Sequence, residues 1–192
     1  DNAFEGIWQV DENFNTVFAN EQFCRMFGYT EEEISGKNVR EMWIPEDMDI
    51  LEERINRRRS GISEQSEIRM RHKDGSEVWV WGSFAPLNDE NGNFAGSLGI
   101  LNDITEHKYR DIQLQENITR YSELFNNINS GAAVLKPVDD GHDFIFIDIN
   151  KAGEEIEEIS REEIKDKRLT EILSNSDNSG LLDAIRQVHL TG

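Results

Sequence analysis

The sequence predicts an α+β fold: a five-stranded antiparallel sheet with short helices on one face, then a long connecting helix into a second, incomplete copy. Three observations predict it. Strand-like segments are punctuated by turn signals, Asp74-Gly75 and Asn91-Gly92 being the strongest. The short helical segments fall between the second and third strands, which segregates them to one face. The sequence also repeats itself, Thr30–Met42 matching Ser160–Ile172 at a constant offset of 130.

The elements follow in order. Ile7–Val10 and Thr16–Asn20 read as strands around the turn Asp11-Glu-Asn-Phe-Asn15. Glu21–Phe27 is a short amphipathic helix with Phe23, Met26 and Phe27 on one side and Gly28 as its stop. Thr30 and Glu33 form a capping box for the next helix, and Ser160 and Glu163 repeat it. Pro45 suits a first helical position, so a helix is predicted from there to about Arg59, with acidic residues at its positive end and Arg57, Arg58 and Arg59 at its negative end. Strands over Glu64–His72, Glu77–Leu87 and Phe94–Asp103 complete the first copy.

The repeat extends beyond the capping box. Val17, Ala19 and Asn20 match Ile147, Ile149 and Asn150, and Leu51 matches Leu181. Upstream, Gly6-Ile7 matches Gly131-Ala132 at an offset of 125, which places five extra residues near Pro137–Gly141, in a lengthened hairpin. Gly192 pairs with Gly61, so the second copy holds roughly the first half of a domain.

Between the copies, Ile104–Ile128 contains no Gly or Pro. One heptad register puts Ile104, Asp111, Ile118 and Phe125 at a and His107, Leu114, Tyr121 and Ile128 at d. Six of these eight are apolar, which favours a coiled coil or a helix docked on a partner. Asp103 and Glu106 supply its N-terminal cap.

Composition narrows function. Twenty basic against 39 acidic residues give a formal charge of −19, which argues against nucleic acid and anionic membranes as partners. No apolar run is long enough for a span or a secretory signal, so the segment is expected to be cytoplasmic, with any membrane anchor of a parent protein lying elsewhere. The single cysteine, Cys24, excludes an internal disulfide and fits a reducing compartment. No pair of the four histidines has metal-ligand spacing, and no nucleophile elbow, phosphate-binding loop or HExxH motif is present. No active site is therefore expected in this chain.

The order and spacing of several short motifs resemble the PAS sensor superfamily. They are Asn20, Phe27-Gly28-Tyr29-Thr30, Glu33-Ile34-Ser-Gly36-Lys37, Lys73-Asp74-Gly75-Ser76, Val78-Trp79-Val80, Pro86, Gly92, Gly96 and Asp103-Ile104-Thr105-Glu106-His-Lys108. The resemblance implies a PAS domain over residues 1–105 with a C-terminal PAC motif, a signalling helix over 106–128, and the N-terminal half of a second PAS domain over 122–192. It further implies a small internal cavity and a role in signal transduction. Such domains detect a small ligand, cofactor or partner and relay the change through a helical linker to an output module. The parent is expected to be a sensor histidine kinase of a two-component phosphorelay, and the chain a homodimer.

Candidate residues follow from that resemblance. The inward positions expected to line the cavity are Phe23, Met26, Phe27, Val39 and Met42, together with Trp43, Ile55, Met70, Phe84 and Ile100; for each, ordinary core packing competes with ligand contact. Asp103, Ile104 and Thr105 look like the family's sheet-to-helix relay junction, and Leu114, Ile118, Tyr121 and Phe125 are the dimer positions of the helix. A cysteinyl-flavin photoreceptor needs a Gly-x-Asn-Cys-Arg motif, where this chain has Gly36-Lys-Asn38-Val39-Arg40, so that chemistry is argued against. Non-covalent flavin stays open, as does haem, although the long helix has no histidine and only His189 offers one in the second copy. Trp79 and Trp81 share a sheet face; if it is the one away from the helices, they form an exposed patch for a partner or flanking helix. The competing reading is a structural dimerisation module with a filled cavity.

Overall fold

A computed structural model describes residues 5–173 and 179–191, in two compact units that divide between Gln113 and Leu114. Residues 1–4 and the matched Gly192 lie outside the described residues. In the first unit, β1 (Gly6–Asp11), β2 (Thr16–Ala19), β3 (Glu64–Arg71), β4 (Glu77–Asn88) and β5 (Phe94–Asp103) form one antiparallel sheet in the order β2-β1-β5-β4-β3. One face, carrying Trp8, Val10, Met70, Val80, Phe84 and Leu101, is buried. Four short helical pieces and one longer helix supply the rest of that core.

The local chemistry explains each piece. Asn20 caps α1 (Glu21–Phe27), its Oδ1 accepting from Phe23 N and from Ile7 N, both at 2.9 Å, which ties the helix to β1. Gly28 ends it at φ 74°, and Phe23 and Phe27 are fully buried, each contributing about 1.5–3 kcal/mol. Thr30 and Glu33 complete the capping box of α2 (Glu31–Ile34). The helix expected from Pro45 begins later: Pro45–Asp47 is a separate 3-10 turn and α3 spans Met48–Arg59. The Trp43 indole N–H donates to the Asp47 carbonyl at 2.9 Å, and Asp47 (φ −102°, ψ 12°) leaves the helical region.

Helix α4 covers Thr105–Asn126, slightly less than the 104–128 read from the heptads. Asp103 Oδ1 accepts from Thr105 N at 2.8 Å, while Glu106 pairs with Arg110 one turn on, at 3.0 Å.

The second unit contains β6 (Ala133–Val138), β7 (Asp143–Ile149), α5 (Lys151–Glu157), α6 (Arg161–Ile164), α7 (Leu169–Leu173) and α8 (Ser179–Thr191). It repeats several hydrogen bonds of the first half of the first unit. Asn150 N donates to Ala132 O at 2.9 Å as Asn20 N does to Ile7 O at 3.0 Å, and Phe146 N to Lys167 O at 3.0 Å as Thr16 N does to Lys37 O at 2.8 Å. The Ser160–Glu163 capping box is also present. The five extra residues lengthen the β6–β7 hairpin, adding the pairs Pro137↔Phe144 and Val138↔Asp143.

Candidate functional site

Between α3 and the sheet of the first unit lies a void of about 30 Å³. Trp8 and Val10 of β1, Phe14 of the following turn, Val39 and Trp43 form part of its wall. Leu51, Arg54, Ile55 and Arg58 reach it from α3, and Phe84, Ser97 and Gly99 from the sheet. That volume holds about one water molecule, whereas organic ligands need roughly 300 Å³ or more. As folded, the aromatic rings of this lining leave no room for a flavin or a haem, Val39 offers no thiol for a covalent flavin adduct, and α3 offers no axial histidine.

Of the residues expected around a cavity, Val39, Trp43, Ile55 and Phe84 line this void. Phe23, Met26, Phe27, Met42 and Met70 are buried in the surrounding core. Ile100 is misplaced by the sequence reading: it is 37% exposed on the opposite face of the sheet, level with Ile7 and Ser83. The phase of β5 is set by Phe84, whose ring fills the room over two glycines. A β-carbon on Gly99 would approach that ring to 2.9 Å, and one on Gly82 to 2.2 Å. Gly99 and Leu101 therefore face inward, and Ile100 faces out.

One arginine at the end of α3 is also buried. Arg57–Arg59 are expected to complement the helix dipole, and Arg58 does so while only 6% exposed. Its guanidinium lies 4.5 Å from the Phe84 ring centre, Nη2 donates to Glu64 Oε1 at 2.7 Å and Nη1 to Arg54 O at 3.3 Å. Arg54 Nη1 donates to the same Glu64 oxygen at 2.9 Å and to Ser66 Oγ, and Arg57 approaches Glu64 at 3.5 Å. Burial lowers the Arg58 pKa, and Glu64 opposes the shift. The Nε atoms of Arg54 and Arg58 are buried, with no hydrogen-bond partner among the described residues. A signal was available: Leu51, Arg54, Ile55 and Arg58 follow the i, i+3, i+4, i+7 spacing of one helix face.

At the other end of the sheet, β5 runs directly into α4. Ile104 N donates to Trp79 O at 2.9 Å. The Thr105 hydroxyl accepts from Trp79 N at 2.9 Å and lies 3.3 Å from Trp79 O as a donor. With Asp103 Oδ1 on Thr105 N, these contacts latch the helix start to the neighbouring strand β4.

No residue of α4 is buried. Leu114 is 60% exposed, Ile118 and Tyr121 are also exposed, and Phe125 stacks on Tyr121 with ring centres 5.4 Å apart. His107 lies 3.5 Å from Asp111. The tryptophan face points away from the helices: Trp81 is 43% exposed, and Trp79 lies between Lys108 and Arg69, 5.5 and 5.9 Å from its ring. Cys24 is buried in α1. Among the described residues no cluster of metal ligands occurs, and no helix is long and apolar enough to cross a membrane.

A family model described as PAS domain matches residues 5–106 and 131–190. The C4-dicarboxylate transport sensor protein of Rhodobacter capsulatus is 34% identical over 109 residues, 54% of this chain and 16% of that protein. Phototropin-1A of Oryza sativa subsp. japonica is 28% identical over 123 residues, 62% of this chain and 13% of its own length. The chain thus spans less than a fifth of these curated relatives. A PAS domain structure from Colwellia psychrerythraea aligns with a TM-score of 0.51 at 30% identity, covering 55% of this chain and 91% of that one.

Proposed function

The chain belongs to the PAS domain family, and from that premise we propose that it is the sensory and relay segment of a larger signalling protein. Residues 1–105 form the sensor, 106–128 the signalling helix, and 122–192 the opening half of a second PAS domain. The output module is a histidine kinase or a related domain elsewhere in the parent, and the segment works in the cytoplasm.

The observation that carries this reading is the Thr105 latch between the cavity-lining strand and an unburied helix. Ser97 and Gly99 of β5 line the void, and the same strand continues into α4. A ligand or partner that shifts β5 against β4 strains the bonds from Ile104 and Thr105 to Trp79. Only a few hydrogen bonds hold that junction, so the helix start can take up a second position. The exposed Leu114, Ile118, Tyr121 and Phe125 then pair with a second copy and carry the change onward.

Sedimentation velocity on the chain tests the helix. The chain is expected to sediment as a dimer, and Leu114→Glu with Ile118→Glu to make it a monomer. A dimer mass unchanged by the double substitution would refute pairing through α4. A second reading, a structural dimerisation module with no ligand, is favoured by the smallness of the void as folded.

A further inference from the structure

The turns Asp11–Asn15 and Asp89–Asn93 read Asp-Glu-Asn-Phe-Asn and Asp-Glu-Asn-Gly-Asn. Their hydrogen bonds coincide. In both, the aspartate Oδ1 accepts from the backbone N–H groups two and four residues on, at 2.9 and 2.8 Å, and Oδ2 accepts from the closing asparagine amide at 3.2 Å. In both, the fourth residue donates to the aspartate carbonyl at 3.0 Å. That fourth residue is Gly92 at φ 85° in one turn and Phe14 at φ 65° in the other.

The glycine twin shows that the turn requires no side chain there. A bulky aromatic in the left-handed region is strained, yet Phe14 is 3% exposed, stacks on Phe94 at 5.6 Å and lines the void. None of the turn's hydrogen bonds involves its ring. The ring is therefore a filler held in the cavity wall against a backbone cost, and the turn survives without it.

Two side chains of the same wall, Arg54 and Arg58, each have a buried Nε–H that finds no acceptor among the described residues. Phe84 offers Arg58 a ring and no lone pair. Three guanidiniums share the single carboxylate of Glu64, which leaves positive charge beside an aromatic pocket. Buried donors of this kind call for an acceptor.

We infer that the Phe14 ring stands in for a ligand, and that the cavity accepts a small aromatic carboxylate when the ring swings out. The ligand's ring takes the vacated place beside Phe94 and the Arg59 guanidinium, which lies 5.5 Å from the Phe14 ring centre, and its carboxylate accepts from the N–H groups of Arg54 and Arg58. This inference rests on the reading of the first domain as a sensor.

Benzoate, with benzamide as its neutral counterpart, is titrated into the whole chain and its Phe14→Gly variant, following tryptophan fluorescence and binding heat. Phe14→Gly, which makes the two turns identical, is expected to bind benzoate at least tenfold more tightly than the parent and at least tenfold more tightly than it binds benzamide. Adding Arg58→Lys, which keeps the charge but removes the Nε donor, is expected to reverse most of that gain. A folded Phe14→Gly variant that binds benzoate no better than the parent overturns the inference, and so does one that binds both probes equally.

Should Phe14→Gly fail to fold, the native chain decides: millimolar benzoate must move the Phe14 and Phe94 ring resonances, and unmoved resonances overturn the inference. A native chain that binds another class of molecule and ignores benzoate overturns this inference and leaves the sensor reading standing. Benzoate uptake by a chain that stays monomeric supports the inference and refutes the relay through α4.

Discussion

Replacing Asn150 by alanine is expected to destabilise the second unit by about 2–4 kcal/mol and to leave the first unit unchanged. The magnitude follows from what the buried carboxamide holds. Its Oδ1 accepts from Gly153 N at 2.8 Å, capping α5, and from Ala132 N at 2.8 Å. Loss of an N-cap costs about 1 kcal/mol, and a part-buried N–H left without a partner costs about 1–3 more. Its Nδ2 faces three carbonyls, Phe125 O at 3.1, Ile128 O at 3.4 and Ser130 O at 2.9 Å, so the residue also fixes the end of α4. All four tryptophans, Trp8, Trp43, Trp79 and Trp81, lie in the first unit, which separates the two signals. In urea, tryptophan fluorescence follows the first unit and far-UV circular dichroism follows both. With a slope of about 1–3 kcal/mol/M, the Asn150→Ala dichroism transition should move down by roughly 1–2 M while the fluorescence midpoint stays put. The matched substitution Asn20→Ala should lower the fluorescence midpoint instead. If Asn150→Ala lowered both midpoints together, or neither, the assignment of this bond network would be wrong.

Other outcomes follow from the same geometry. Glu158, exposed at φ 53° where the first copy has Gly28, should give way to glycine with a gain of about 0.5–1 kcal/mol in the second unit, the left-handed cost outweighing glycine's entropy; a lower dichroism midpoint would contradict this. Burial pushes the Asp11 carboxyl up, but the N–H groups of Asn15 and Asn13 and the Asn15 amide bring it below its ordinary value. Its folded pKa being depressed, its contribution of about 1 kcal/mol is complete above the unfolded value near 3.9 and is lost as pH falls through the lower folded value. Asp11→Asn should therefore weaken the first unit at pH 7 and match the parent at the acid end of that window, and a constant gap across pH would refute it. Thr105→Val should cost about 1–2 kcal/mol and speed hydrogen exchange at Trp79 N, which loses its acceptor; unchanged protection there would remove the latch from the argument.

Much of the architecture was legible because it is written in local signals. The capping boxes, the two turn dipeptides and the two repeat offsets each correspond to a hydrogen bond seen in the fold, the 125 offset to Asn150 on Ala132 and the 130 offset to Phe146 on Lys167. The site was harder to read. Strand β5 carries apolar residues on both faces, so period-two alternation could not choose between Ile100 and Leu101. The choice was made by a ring on the adjacent strand that needs Gly99 beneath it. Arg58 was masked by its position at a helix end, where a cation has a ready explanation, although its spacing from Leu51 and Ile55 placed it on the buried stripe. Phe14 was hidden in a turn, and only its twin at Asp89–Asn93 shows that an aromatic there is out of place.

The buried thiol of Cys24 has a consequence of its own. Burial, with Glu31 nearby, raises its pKa and keeps it in the unreactive protonated form, and the closed core keeps reagents away. Each alkylation event must then await a breathing motion that parts α1 from the strands beneath it. The chain has no second sulfhydryl to blur the record, so the pace of labelling is a built-in clock for how often this core opens.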